Sequence, residues 1–275
     1  MMAHGSMAHG SMAPGTRGGL LEEILGPDGL SVLVQPIVRV SPRKRTLHGV
    51  ECLSRGPKGT LFERPDVLFD YVRRKKAELI VDRKVVALAL QTCSRIPDPV
   101  RVSINVHASS LGRDRDFSSY LQDLAAAAGI RMSRITIEIV EHAPMWNKPQ
   151  FLQTVADLQR LGVMMALDDV GAGQPNYHMI LDAAPNCFKV DAFIVKDIHS
   201  DLRRRAILAS VVKLASELGG SVVAEGVENE EDLAALSELG VAFMQGYLFS
   251  RPVTVDQLLN SSWVRPAALA ASAGE

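Results

Sequence analysis

Short apolar, β-branched runs recur along this chain at 31–38, 46–53, 101–106, 134–140, 163–167, 187–190, 221–224 and 241–244. Runs of this length read as strands, eight in all. Between most of them apolar positions repeat at helical spacing, over 82–93, 116–128, 149–161, 202–218 and 230–239. Gly129, Gly162, Gly219 and Gly240 directly follow four of these segments, where a helix end favours a residue able to turn left-handed. Strand, helix, glycine, strand, repeated in this way, predicts parallel strands joined by crossover helices.

One connection breaks the pattern. Only the short stretch Ser41–Arg45 separates the first run from the second. A parallel crossover needs a dozen or more residues, so the first two strands should be antiparallel, with Ser-Pro-Arg-Lys as the turn. The expected fold is α/β, a modified TIM (β/α)8 barrel whose first strand runs antiparallel to the other seven. An open doubly wound sheet is the competing architecture, but it would carry a Gly-rich phosphate loop after an early strand, and none is present.

The 275 residues suit one such barrel. Lys and Arg number 30 against 31 Asp and Glu, a net charge of −1, which argues against a nucleic-acid polymer as partner because counterion release needs a basic face. No apolar run approaches the ~20 residues needed to cross a bilayer. The start carries no charged segment leading into an apolar one, and Cys52, Cys93 and Cys187 are too scattered for a disulfide framework or zinc cluster. A cytoplasmic location without membrane attachment is expected.

Residues 1–17 repeat Met-Ala-His-Gly-Ser at 2–6 and 7–11 and are too small and polar to offset their ordering entropy. The expected layout is a disordered segment over 1–17, one domain over 18–262 and a flexible tail over 263–275.

Acidic and amide side chains collect at the ends of the runs. Glu51 ends the second and Asn105 the third; Glu138 lies near the end of the fourth, with Glu141 three residues on; Asp168 and Asp169 end the fifth. Lys189 and Asp191, two apart and so on one strand face, end the sixth; Glu225 and Glu228 follow the seventh, and Gln245 the eighth. In a barrel, strand C-termini build the active-site mouth. Carboxylates converging there would repel one another unless divalent cations joined them. Oxygen-only donors select hard ions such as Mg²⁺ or Mn²⁺, and a pair of them roughly 3.5–4 Å apart would polarise a phosphate ester and activate water. Lys189 amid the acids would stabilise transition-state charge or orient that water. Any one of these residues alone reads better as a solvated loop charge than as a functional group; the recurrence after successive runs carries the signal. The basic run Arg73–Lys76 reads as a solvated helix face, relevant to an anionic substrate only if it lies near the mouth.

At these positions the chain resembles the EAL family, phosphodiesterases acting on the bacterial second messenger cyclic di-GMP. The signature Glu-Ala-Leu-x-Arg stands as Glu51-Cys52-Leu53-Ser54-Arg55, preceded by Gln35-Pro36. Asn105, Glu138 with Glu141, Asp168-Asp169-Val170-Gly171-Ala172-Gly173, Lys189-Val190-Asp191, Ala224-Glu225-Gly226-Val227-Glu228 and Gln245-Gly246-Tyr247 follow in order. Cys52 replaces the central Ala of the signature, and Ala172 stands where the family carries Thr.

The resemblance implies that Glu51, Asn105, Glu138 and Asp168 hold one metal, while Asp169, Asp191 and Glu225 complete a second site or position the water. It implies that Lys189 contacts the attacking water, with Glu225 as candidate base and Glu51 essential to catalysis. Gln35, Leu53, Arg55 and Gln245 would hold the ligand, with Arg55 on a phosphate, and Glu141 and Glu228 would support loops. The implied reaction is metal-dependent hydrolysis of cyclic di-GMP to linear pGpG by a homodimer in second-messenger signalling. The alternative is a non-catalytic cyclic di-GMP receptor or interaction module.

Overall fold

The computed structural model describes residues 19–140, 147–171 and 177–264. Residues 1–17 and most of the 263–275 tail, on which two of the sequence expectations fall, lie outside that range. Eight strands close a barrel in sequence order: β1 (Ser31–Ser41), β2 (Lys44–Arg55), β3 (Arg101–His107), β4 (Ile135–Val140), β5 (Met164–Val170), β6 (Cys187–Val190), β7 (Ser221–Ala224) and β8 (Phe243–Met244). β1 pairs antiparallel with both β2 and β8, and every other neighbouring pair is parallel. The mixed barrel expected from the short first connection is therefore present.

The turn is tighter than expected. Pairing continues to Ser41↔Lys44, leaving only Pro42 and Arg43 between the strands, and Ser41 Oγ donates to the Lys44 carbonyl at 2.8 Å. Around the strands lie α1 (Leu20–Leu25), α2 (Pro65–Arg74), α3 (Glu78–Cys93), α4 (Ala108–Leu111), α5 (Phe117–Ala127), α6 (Lys148–Arg160), α7 (Tyr177–Ala183), α8 (Ala192–Val195), α9 (Leu202–Glu217), α10 (Glu230–Glu238) and α11 (Val255–Leu259). The five segments read at helical spacing became α3, α5, α6, α9 and α10. α1, α4, α7, α8 and α11 were missed, because one or two turns carry too few apolar repeats to define a period, and of the ten-residue α2 only the basic face at its end was noted. Among the described residues no helix is long and apolar enough to cross a membrane.

Period-two alternation sorts each strand into two sides. Val50, Cys52, Val102, Ile104, Ile135, Ile137, Met165 and Leu167 share one large buried cluster with the inner faces of α3, α5 and α6. Phe188, Val190, Val222 and Ala224 do the same against α9 and α10. The intervening positions point into the barrel. Ile37, Ala166, Cys187 and Val223 fill its lower part, and the buried polar side chains of Glu51, Ser103, Thr136, Glu138 and Lys189 fall on the same alternate positions. The register places Glu51 beside Ser103 and Asn105 beside Glu138, so polar groups from successive strands meet at one level.

Below that level His48, Arg101, Ser103 and Thr136 border a cavity of about 30 Å³. Burial, then Arg101 and Arg39, push the His48 imidazole from its ordinary 6.5 down to about 4. A group whose folded pKa is depressed leaves stability intact above its unfolded value and removes it as the pH falls from 6.5 through 4. His48→Gln is expected to lose less stability over that interval, read as the urea midpoint against pH. Parallel curves for the two proteins would show that His48 contributes nothing.

Candidate active site

Two local features aim side chains at the mouth. Pairing between β5 and β6 is irregular between Leu167 and Val170, and Asp169 sits there at φ 55°. Asp tolerates the left-handed region better than most residues, and a bulge lets consecutive acids turn toward one site. Gly246, just after Gln245, passes so close to the Val227 backbone that a Cβ would lie 2.1 Å from its carbonyl oxygen. Only glycine permits that crossing, which sets Gln245 against β1 and β2.

The centre of the site is Lys189, 1% exposed. Its Nζ lies 2.7 Å from Glu138 Oε2, 2.7 Å from Glu225 Oε1 and 3.4 Å from Glu51 Oε2. Asp168 Oδ1 stands 3.1 Å away without hydrogen-bond alignment. Glu51 is anchored further: Oε1 accepts from Asn105 Nδ2 and Oε2 from Gln245 Nε2, both at 2.8 Å. Gln245 Nε2 also donates to Gln35 Oε1 at 2.9 Å, and Gln35 Nε2 to the Ser250 carbonyl at 3.0 Å. Gln35 and Gln245 are thus buried positioners of Glu51.

The charges are strongly unequal. Burial works against the Lys189 ammonium, but Glu138, Glu225, Glu51 and Asp168 together raise its pKa well above the ordinary value. Burial would also raise Glu51, yet Lys189, Asn105 and Gln245 outweigh it and keep that carboxyl low. Glu138 goes the other way: burial and the charge of Glu51 lift it well above the carboxylate range despite Lys189. Burial raises Glu225 to about 8, with Lys189 opposing and Asp168 and Glu51 adding to the rise. Burial, Asp168 and Asp191 raise Asp169. One ammonium cannot balance this many carboxylates, so the set retains protons near neutrality.

That imbalance suits divalent cations, and the donors fit them. Asp168, Asp169 and Glu225 offer oxygens within 4.8 Å of one another. Asn105 Oδ1 is buried without a hydrogen-bond partner among the described residues. An orphaned buried carbonyl oxygen beside carboxylates is a ready ligand for a hard ion.

A cleft of about 340 Å³ opens above this floor. Asn105, Asp168 and Asp169 lie at its base, and Leu53, Phe69, Arg73 and His107 form its walls. His107 Nδ1 faces the Asp82 carboxylate at 3.0 and 3.1 Å, and its backbone N–H donates to Asp82 Oδ2 at 3.0 Å. Burial disfavours the imidazolium, but Asp82 overrides it and raises the His107 pKa.

The structure therefore unites Glu51, Asn105, Glu138, Asp168, Lys189, Glu225, Gln35 and Gln245, with Asp169 and Leu53 on the cleft. Other expected residues stand apart. Asp191 lies one residue past β6, where its Oδ1 accepts from the Phe193 N–H at 2.6 Å to cap α8, although its charge still reaches Asp169. β6 ends at Val190, so Asp191 lies just past the strand that carries Lys189. Arg55 is not on the cleft wall; it donates to the Ser54 carbonyl at 2.9 Å. Glu228 is exposed, with no hydrogen bond or ion pair to any described residue. Glu141 and Ala172 lie outside the described residues.

Sequence reasoning missed His107, Asp82, Phe69 and Pro65 and left Arg73 as surface charge. For His107 a signal existed: it stands two residues beyond Asn105, hence on the same strand face. For α2 the signal was Pro65 at a helix start with Phe69 and Arg73 at four-residue steps.

A closed mixed barrel with a cluster of carboxylate oxygens at its strand C-termini defines an α/β-barrel protein whose mouth offers donors suited to a divalent cation. More narrowly, the chain belongs to the EAL domain family, which matches residues 21–252. The chain is 32% identical over 167 residues to the cyclic di-GMP phosphodiesterase RocR of Pseudomonas aeruginosa, covering 61% of this chain and 42% of RocR. It thus spans less than half the length of that relative. Among solved structures it is similar to the manganese and cyclic di-GMP complex of Klebsiella pneumoniae BlrP1, at 32% identity and TM-score 0.73 over 82% of this chain and 56% of that one. An EAL domain protein from Listeria monocytogenes EGD-e matches at 25% identity and TM-score 0.74, over 84% of this chain and 92% of that one.

Proposed function

We propose that this domain is a metal-dependent phosphodiesterase that hydrolyses cyclic di-GMP to linear pGpG. The observation that carries the reading is the buried Lys189 ammonium among four carboxylates beneath an open cleft, with the unpartnered Asn105 carbonyl beside them. Mg²⁺ or Mn²⁺ is the proposed cofactor. Glu51, Asn105, Glu138 and Asp168 would hold one ion, and Asp169, Glu225 and Asp191 the second. When bound, such ions polarise a phosphodiester and acidify water.

The remaining work belongs to the chain. Asn105 and Gln245 fix the Glu51 carboxylate through both oxygens. Lys189 supplies a permanent positive charge close to where an attacking water and the phosphate would meet. Glu225, whose Oε1 lies 2.7 Å from Lys189 Nζ on the same floor, is the group best placed to exchange a proton with that water. Water adds across one of the two phosphodiester bonds, so the ring opens and one phosphate becomes terminal. A homodimer is proposed as the working form, supported by the exposed apolar Tyr177, Leu181 and Phe193 of α7 and α8. Association with second-messenger signalling follows from the proposed substrate and from the activity named for RocR.

The test incubates purified protein with cyclic di-GMP and either Mg²⁺ or Mn²⁺ and separates the products by chromatography. Accumulation of pGpG is expected. Binding without turnover in either metal would replace the enzyme reading with that of a receptor.

A further inference from the structure

The wall of the cleft opposite the acids is built by α2. Pro65, Phe69 and Arg73 follow one another at four-residue steps, so one helix face lines the cavity. Phe69 contributes a flat ring, 5.6 Å from the His107 ring. Arg73 lies one turn further along. Its guanidinium makes no hydrogen bond to any described residue, and its nearest acid, Asp70, is 3.7 Å away. Asp70 is instead engaged by Arg74 at 2.7 Å. The Arg73 side chain is 29% exposed, so it is held against the wall, and beyond its long ion pair with Asp70 its donors make no hydrogen bond to any described residue.

An aromatic face beside a guanidinium held only by one long ion pair, on the same cavity as the acid cluster, is chemistry for a purine carrying two acceptors on one edge. We infer that Phe69 and Arg73 form a base subsite in which Phe69 stacks on a guanine and Arg73 donates bidentately to its O6 and N7, making Arg73 a specificity-determining residue. Adenine presents a donor at position 6 and cannot satisfy both arms of the fork. The cavity, at about 340 Å³, accommodates one nucleotide half of a dinucleotide. A second phosphate is the competing ligand for Arg73, but it gains nothing from a neighbouring Phe. This inference rests on the proposed cyclic dinucleotide substrate.

The test measures calorimetric affinity of the full chain for cyclic di-GMP and cyclic di-AMP in Ca²⁺, for wild type, Arg73→Gln, Arg73→Lys and Phe69→Leu. The two ligands share their phosphates and differ in the base edges. Wild type should prefer the guanine ligand. Arg73→Gln should weaken cyclic di-GMP roughly tenfold or more and cyclic di-AMP less than about twofold. Arg73→Lys, which keeps the charge and loses the fork, should behave as Arg73→Gln does, while Phe69→Leu should weaken both ligands alike. Equal losses for the two ligands in Arg73→Gln, with rescue by Lys, would overturn the inference in favour of a phosphate contact. Unchanged affinities would overturn it outright. Failure of the wild type to bind either ligand would instead overturn the substrate proposal beneath it.

Discussion

Lys189→Met is expected to abolish the proposed turnover, by about 10³-fold or more, and at the same time to make the metal-free barrel fragile. The first effect follows if a fixed positive charge at the reacting phosphate is worth what preorganised electrostatic groups usually contribute to a transition state. The second follows from the surroundings of the ammonium. Glu51 and Glu138 are 5% and 1% exposed, and removing the cation leaves them facing each other without a countercharge. Stripping one partner from a buried ion pair costs about 3–5 kcal/mol, and at ~2–4 °C per kcal/mol for a chain of this size the melting temperature falls by roughly 6–20 °C. The loss should shrink in acid, where the carboxylates protonate, and shrink again when Mn²⁺ is added. Melting curves at pH 5 and pH 8, with and without Mn²⁺, check both statements. A variant as stable as wild type in every condition would show that the lysine is not the countercharge of the cluster.

Adding a divalent cation is expected to raise the melting temperature more as the pH rises. Glu225 holds its proton to about pH 8, and Glu138 and Asp169 are raised as well. A carboxyl with a raised folded pKa binds its proton more tightly in the native state. Its contribution to stability is therefore full below the unfolded value of 4.5 and lost as pH climbs through about 8. The metal-free protein should accordingly weaken between pH 5 and pH 8.5. A cation competes with those protons for the same oxygens, so its affinity grows over the same range. At ~100-fold excess over its dissociation constant, an ion adds about 2.7 kcal/mol, or roughly 5–10 °C. Little or no shift at pH 6 and a clear one at pH 8.5 is the expected pattern for Mg²⁺ or Mn²⁺, measured by differential scanning fluorimetry. A shift of equal size at both pH values would mean that the ion binds elsewhere.

The sequence was most informative where one physical rule acts on neighbouring residues. The short stretch Ser41–Arg45 between two apolar runs forced an antiparallel pair, and the acids at run ends converged because parallel strands present their C-termini on one rim. It was least informative where a contact joins distant elements. Nothing near Cys52 announces that its sulfur lies 3.5 Å from that of Cys93 on α3. The Asp82 carboxylate reaches His107 across 25 positions of chain. The period-two rule that gathered Asn105 also applied to His107, but an isolated histidine on a strand carries no sign of a partner. Asp191 shows a different limit: strand spacing placed it beside Lys189 but gave no sign that its Oδ1 also caps α8.

The reversed first strand also decides how the domain connects to anything else. β1 begins level with Arg55, at the upper end of β2, and Val34 bridges Val253 just before α11. In an all-parallel barrel the polypeptide would enter on the face remote from the catalytic loops. Here the first strand sets out from the rim that bears the acids, so the segment leading into it lies beside the cleft and not a cylinder's height away.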